Sequence, residues 1–154
     1  MSIRLTEDEA WQELATARTG ILTTLRADGW PVSLPVWFAT VDRRIYLRTP
    51  AGTKKLARIR RDPRSSFLVE SGVRWAELRA VQLPVTATVL DDGAEAEVAS
   101  AALGAKYDGY GLAVEQAPSA TRRAYRGMVV VRLDPAGKAL TWDNARIRLQ
   151  ERTA

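Results

Sequence analysis

The chain is 154 residues long, enough for one domain with a sizeable core, and its 46% hydrophobic and 27% charged residues are those of an ordinary globular protein. It contains no cysteine and no histidine. That excludes a disulfide framework, a cysteine nucleophile, a Ser-His-Asp triad and any zinc or haem held by His or Cys; a metal would rest on carboxylates alone, and redox chemistry would need a borrowed organic cofactor. A formal net charge of +5 suits an anionic partner, either nucleic acid or a phosphorylated small molecule, and equally suits a basic surface that only aids solubility.

Thr6-Glu7-Asp8-Glu9 reads as a capping box, and Ala10, Trp11 and Leu14 form an apolar stripe, which predicts a helix over 7–18. The β-branched run 20–26, the Asp28-Gly29 turn and the loosely alternating run 31–40 predict a hairpin. A turn at 41–44 and a third strand over 45–49 extend it to a meander. Pro50-Ala51-Gly52 breaks the sheet, and 53–61 reads as a short helix with Leu56 and Ile59 inward, stopped by Asp62-Pro63. Strands follow over 64–70 and 76–90, the second interrupted at Pro84, which argues for an edge or a bulge. An alanine-rich helix runs from 91 to about 106, then an irregular stretch to 119, a short helix over 119–125, and strands over 128–133 and 139–142. The expected architecture is α+β: a split β-barrel of six to seven mostly antiparallel strands with short flanking helices, one domain over 1–154. With no apolar run of spanning length and no signal-peptide core near the start, a cytoplasmic protein is expected.

The segment Arg48-Thr49-Pro50-Ala51-Gly52-Thr53-Lys54-Lys55 runs from a strand end through a glycine turn into a helix start. Two lysines there oppose the positive end of the helix dipole, an arrangement that becomes favourable once an anion sits among them. A phosphate would accept from helix N–H groups, the Thr49 hydroxyl and both ammonium groups. The plainer reading is a solvated basic face, and the pattern is not a Walker motif. Arg58-Ile59-Arg60-Arg61 reads as a helix-end basic cluster rather than a nucleic-acid patch, because no aromatic residues interleave with the arginines. Trp37, Trp75 and Trp142 lie at or near strands, where core or interface anchoring is the commoner role. Tyr107, Tyr110 and Tyr125 are possible proton donors, although packing is again commoner, and Glu70 and Glu77 have no partner that would make an acid–base pair.

Ser33-Leu34-Pro35-Val36-Trp37-Phe38, Tyr46-Leu47-Arg48-Thr49 with Gly52-Thr53-Lys54-Lys55-Leu56, Arg60-Arg61-Asp62-Pro63-Arg64, and Trp75-Ala76-Glu77-Leu78-Arg79, in that order, resemble the pyridoxamine phosphate oxidase-like split-barrel superfamily. Within it the chain is most similar to the flavin/deazaflavin oxidoreductase branch of actinobacterial type that uses coenzyme F-420, and Leu140-Thr141-Trp142-Asp143-Asn144 resembles that branch's closing strand. The resemblance covers about residues 20 to 145. It implies a homodimer with two cofactor sites at the subunit interface and hydride transfer from reduced F-420 to a small conjugated molecule. FMN is the alternative cofactor, and a non-catalytic carrier the alternative role; neither nucleic acid nor membrane is expected as a partner. Carried over by position, Arg48, Thr49, Lys54 and Lys55 hold the cofactor phosphate. Ser33, Pro35, Val36, Trp37 and Phe38 line the ring, with backbone groups of Pro35 to Trp37 at its polar edge. Arg79 and Ala80 contact the ring system, and Arg58, with Arg61, meets the anionic tail that F-420 has and FMN lacks. Trp75, Tyr110 and Trp142 are expected to touch substrate, the loop 106–119 to form a wall or lid, and no catalytic side chain is assigned, the proton coming from an arginine, a tyrosine or water. The chain departs from pyridoxamine phosphate oxidases proper, which have a glutamine at the Ala80 position and a C-terminal arginine–histidine pattern absent here; this speaks against vitamin B6 oxidation. Asn144 stands where relatives often carry histidine.

Overall fold

The computed structural model describes residues 2–111 and 116–147. Thr6 opens α1 (Glu7–Thr16) with the expected reciprocal cap: its N–H donates to Glu9 Oε2 at 2.7 Å, and the Glu9 N–H donates to its Oγ1 at 3.3 Å. Strand β1 (Gly20–Leu25) turns at Asp28-Gly29, where Gly29 has φ 84°, into β2 (Pro31–Val36). The expected strand 31–40 is two strands, because the chain breaks at Trp37-Phe38 before β3 (Ala39–Val41). Asp42 and Arg43, at φ 48° and 56°, form a tight left-handed turn into β4 (Arg44–Pro50). No glycine relieves that turn; Arg43 instead reaches Glu7 at 2.7 Å and Asp8 at 2.6 Å, tying the turn to the start of α1. Then come α2 (Lys54–Arg61), β5 (Arg64–Ser71), a 3-10 turn over Trp75–Glu77 where strand was expected, and β6 (Arg79–Val89). The chain ends with α3 (Ala94–Lys106), α4 (Ser119–Arg126), β7 (Met128–Pro135) and β8 (Leu140–Asp143).

The eight strands form one antiparallel sheet in the order β2-β1-β5-β6-β7-β4-β3, with β8 paired to the first part of β6. Its outer strands, β2 and β3, are separated in sequence only by Trp37 and Phe38, so the sheet curls until its edges meet. This is the split barrel. Pro84 is not at an edge: β6 is central, pairing with β8 over Arg79–Gln82 and with β7 over Val85–Val89. The proline's missing N–H falls at the gap between those partners, on the side where its carbonyl accepts from Ala136 N at 2.8 Å.

Phe38, Phe67, Leu14, Leu22, Ile45, Leu47, Val81 and Leu133 fill the barrel, each at most 1% exposed. Phe38 and Phe67 meet edge to face at 4.8 Å between centroids. Gly20 is required by that packing: a Cβ there would lie 2.1 Å from Phe67 Cζ. Lys106, the last residue of α3, places its Nζ 3.8 Å from the centre of the Phe38 ring, with that nitrogen buried and donating to no hydrogen-bond partner among the described residues. Burial, reinforced by the nearby Arg18 charge, pulls its pKa down from 10.5 to about 8.

Two stability outcomes follow. Gly20→Ala should cost about 2 kcal/mol in urea unfolding, since the methyl group must displace a fully buried ring; an unchanged midpoint would mean the Phe67 site is loosely packed. For Lys106 the folded state holds its proton less tightly than the unfolded chain, so stability rises with pH between about 8 and 10.5. Lys106→Met should therefore gain about 1 kcal/mol over the parent at pH 7, a figure discounted for the half-exposed side chain, and lose that advantage by pH 10.5. A constant difference across that range would contradict the burial argument.

Candidate functional site

Where the sheet edges meet, a cleft of about 550 Å³ opens to the outside. One part of the lining is the seam itself, Pro35, Val36 and Trp37; adjoining it is the last turn of α3, with Leu103, Gly104 and Tyr107. Arg48, Thr49 and Pro50 from the end of β4, and Lys55 from the first turn of α2, close one end, with Met128 of β7 beside them. The lining also includes Gly111, Ala117 and Thr121. No carboxylate lines the cleft among the described residues, and Arg48, Lys54 and Lys55 have no ion-pair partner among them.

The α2 terminus lacks a side-chain acceptor. Thr53 is its N-cap, in extended conformation, yet its side chain caps no N–H group, and its Oγ1 is buried with no partner. The first-turn donors therefore have no side-chain acceptor, and Lys54 and Lys55 add positive charge at the end where the helix dipole is already positive. Lys55 is half-buried; burial, and secondarily the Arg58 charge, lowers its pKa from 10.5. A phosphate placed here would satisfy the orphaned hydroxyl and N–H groups and remove the charge conflict, so the residues present fit a phosphorylated ligand.

Trp37 and Tyr107 stack face to face, 4.3 Å between centroids and 2° from parallel. The Tyr107 hydroxyl accepts from Phe38 N at 2.9 Å, and its single proton is offered to the carbonyls of Phe38 (2.9 Å) and Arg18 (2.8 Å). Burial raises its pKa above 10.0. Tyr107 is thus committed to the backbone, not poised to give up a proton.

Of the residues expected from sequence, Pro35, Val36, Trp37, Arg48, Thr49 and Lys55 line this cleft, and Lys54 is exposed on the adjoining turn. The others lie elsewhere. Phe38 is fully buried in the barrel, with both backbone groups held by Tyr107, so it presents no surface to a ligand. Ser33 faces Thr23, oxygen to oxygen at 2.8 Å, on the hairpin. Arg58 donates through Nε to the buried Thr24 hydroxyl at 2.8 Å, and Arg61 donates to the Leu25 carbonyl at 2.7 Å, so both are engaged with β1. Arg79 and Ala80 begin β6, whose far end, ten residues on, approaches the cleft strands. Ala80 is 3% exposed, and Arg79 lies 3.0 Å from Glu13, without hydrogen-bond alignment, and 3.5 Å from the buried Asp143. Trp142 pairs with Ala80, Trp75 is exposed on the 3-10 turn with its carbonyl accepting from Asn144 Nδ2 at 2.8 Å, and Tyr110 is exposed under the Arg18 guanidinium. Residues 112–115 of the expected lid, and the Tyr125 side chain, lie outside the described residues. Of the expected wall 106–119, Tyr107, Gly111 and Ala117 line the cleft; sequence reading missed Leu103 and Gly104, which sit in a run of alanines with no distinctive pattern, and the tie of Tyr107 to Phe38, 69 positions away.

Residues 6–137 match the family model described as pyridoxamine 5'-phosphate oxidase. Among solved structures, a conserved hypothetical protein from Mycobacterium tuberculosis is 27% identical, over 99% of this chain and 96% of its own, with a TM-score of 0.78. An F-420 reductase is 18% identical over 84% of this chain and 94% of its own (TM-score 0.63), and an FAD binding protein from Mycobacterium smegmatis is 19% identical over 91% and 98% (TM-score 0.61). The last two likenesses show the fold. No curated protein matches the chain. The family match takes in the seam, the basic helix and the central strands alike, and the chain belongs to the pyridoxamine 5'-phosphate oxidase family.

Proposed function

We propose that the protein is an oxidoreductase that uses reduced coenzyme F-420 to deliver hydride to a small conjugated organic molecule, acting as a homodimer in the cytoplasm. One observation carries this reading: the cleft joins a cationic end, Arg48 and Lys55 with Thr49 between strand and helix, to an uncharged surface formed by Trp37 and the α3 residues packed on it. That is the shape of a phosphate attached to a flat ring. Fold alone would not select an activity, but a solved F-420 reductase and an FAD binding protein share this architecture.

A bound deazaflavin or flavin would supply the hydride. Arg48, Lys54 and Lys55 would bind the phosphate, with Thr49 and Thr53 as hydroxyl partners, and Pro35 to Trp37 would orient the ring through backbone N–H and C=O groups. Leu103 and Met128 would exclude water from the reacting face. Of the hydroxyls lining the cleft, Tyr107 is occupied with backbone, which leaves Thr49, Thr121, an ammonium group or water to move a proton. The second reading, FMN in the same cleft, is favoured by Arg58 and Arg61: each already bonds to β1, which weakens their candidacy for the anionic tail of F-420.

Parallel titration of the protein with F-420 and FMN, followed by ring fluorescence, decides between the two. Tight F-420 and weak FMN binding is expected, with turnover of reduced F-420 on an enone acceptor separating enzyme from carrier; failure of both ligands to bind would sink the reading. Lys55→Met should weaken the bound cofactor about 10- to 100-fold through loss of one charged hydrogen bond. Because the charged form of Lys55 is the one that binds phosphate and its pKa lies below 10.5, wild-type affinity should decline as pH rises toward that value, and the decline should be shallower in Lys55→Met.

A further inference from the structure

We propose that Trp37, locked in place by Tyr107, is the stacking platform on which the cleft holds the flat conjugated ring of its ligand, and that Tyr107 is a positioning residue and not a proton donor. The identity of the ring rests on the flavin-type reading above; the platform itself rests on geometry at the seam, away from the phosphate end.

The two rings are 4.3 Å apart and 2° from parallel, and they are exposed very differently: Tyr107 is 8% exposed, Trp37 46%. Tyr107 covers one face of the indole, which leaves the other open in a cleft both residues line. An indole sits on a surface with many rotamers open to it unless something holds it. Here the holder is itself fixed, because the Tyr107 hydroxyl bonds to both backbone groups of Phe38, the residue next to Trp37, and to the Arg18 carbonyl. Phe38 in turn is immobilised in the barrel against Phe67. The indole is therefore presented in one orientation before any ligand arrives, so little ordering entropy opposes stacking. A planar conjugated heterocycle gains from that face; a saturated molecule of equal volume does not. The same bonds argue against proton donation, since the hydroxyl proton is held between two carbonyls.

The test separates ring from anion. Lumichrome carries the flat tricyclic ring without phosphate, inorganic phosphate carries the anion without the ring, and FMN carries both. Trp37→Leu, at a half-exposed site that should fold normally, is expected to weaken lumichrome and FMN about tenfold or more while phosphate affinity by calorimetry stays the same, and Trp37→Phe should restore most of the loss. Tyr107→Phe keeps the stacked ring but frees the joint, so lumichrome should bind about three- to tenfold more weakly. In turnover KM should rise more than kcat falls. Lumichrome bound equally well by wild type and Trp37→Leu would overturn the platform, as would a wild-type protein that binds phosphate and no lumichrome. Intact lumichrome binding in Tyr107→Phe with collapsed kcat would restore the proton-donor role and overturn the positioning one. Lumichrome held through Trp37 by a protein that binds neither F-420 nor FMN would uphold the platform and overturn the functional reading instead.

Discussion

Everything in this molecule turns on a joint of two residues. Trp37 and Phe38 connect the two outer strands of an eight-stranded sheet, so the sheet can satisfy its chain connectivity only by curling until its edges meet. Alternation along extended backbone then sends Phe38 inward and Trp37 outward. The joint belongs to neither strand, which leaves the N–H and C=O of Phe38 without ladder partners at a residue with no exposure, a costly arrangement unless something supplies both a donor and an acceptor. A tyrosine hydroxyl can do both. Tyr107 does so from the end of α3, and in meeting that need it brings the helix against the seam and forms the second wall of the cleft. The site is a by-product of closing the barrel.

Charge is sorted along the same axis. Away from the cleft several arginines are matched: Arg43 with Glu7 and Asp8, Arg44 and Arg132 with Asp134, Arg146 with Glu9 and Asp143. Glu9 is held so firmly by Arg146 and by the Thr6 N–H that its pKa falls to about 2. At the α2 terminus, by contrast, the cations have no partner among the described residues. A net charge of +5 says little by itself; the informative fact is that at the start of α2 positive charge without an ion pair meets a helix end and an orphaned hydroxyl that also lack an acceptor.

What could be read in advance was whatever a few neighbouring residues decide. The Thr6–Glu9 cap, the Asp28-Gly29 turn, the Asp62-Pro63 stop and the two lysines opening α2 each follow from local chemistry, and each is present. The break at Trp37-Phe38 was not legible, because the run 31–40 alternates as one strand would and only global closure forces the chain to change partners. Pro84 misled for a related reason: a proline argues against a central strand, but here the strand switches partners at that residue, and the lost donor faces the gap. Arg79 shows the same limit at a candidate site residue. Its position in the strand suggested a ring contact, while its ion-pair partners, Glu13 and Asp143, come from α1 and β8 and could not be seen from its neighbours.

The resemblance assigns one site to residues that the fold spreads over several strands: Pro35 of the cleft shares a register row with Ile21, Leu68 and Gln82, so the start of β6 lies across β1 and β5 from the seam. Arg79 and Ala80 therefore sit three strands from the seam, about 14 Å at roughly 4.8 Å between neighbouring strands, and neither lines the cleft. In the proposed homodimer a second copy is another way to bring this part of the chain to a cleft. The structure also ranks what such a copy has to offer. Ala80 is buried, Arg79 is spent on ion pairs and Trp142 is partly covered, whereas Trp75 is 57% exposed and the neighbouring Val73 is 95% exposed on the turn between β5 and β6. Two apolar side chains displayed at a turn are poorly suited to water and well suited to a partner surface. In the homodimer of the proposed reading, that turn, and not the start of β6, is the element with free surface to bring to the other copy's cleft.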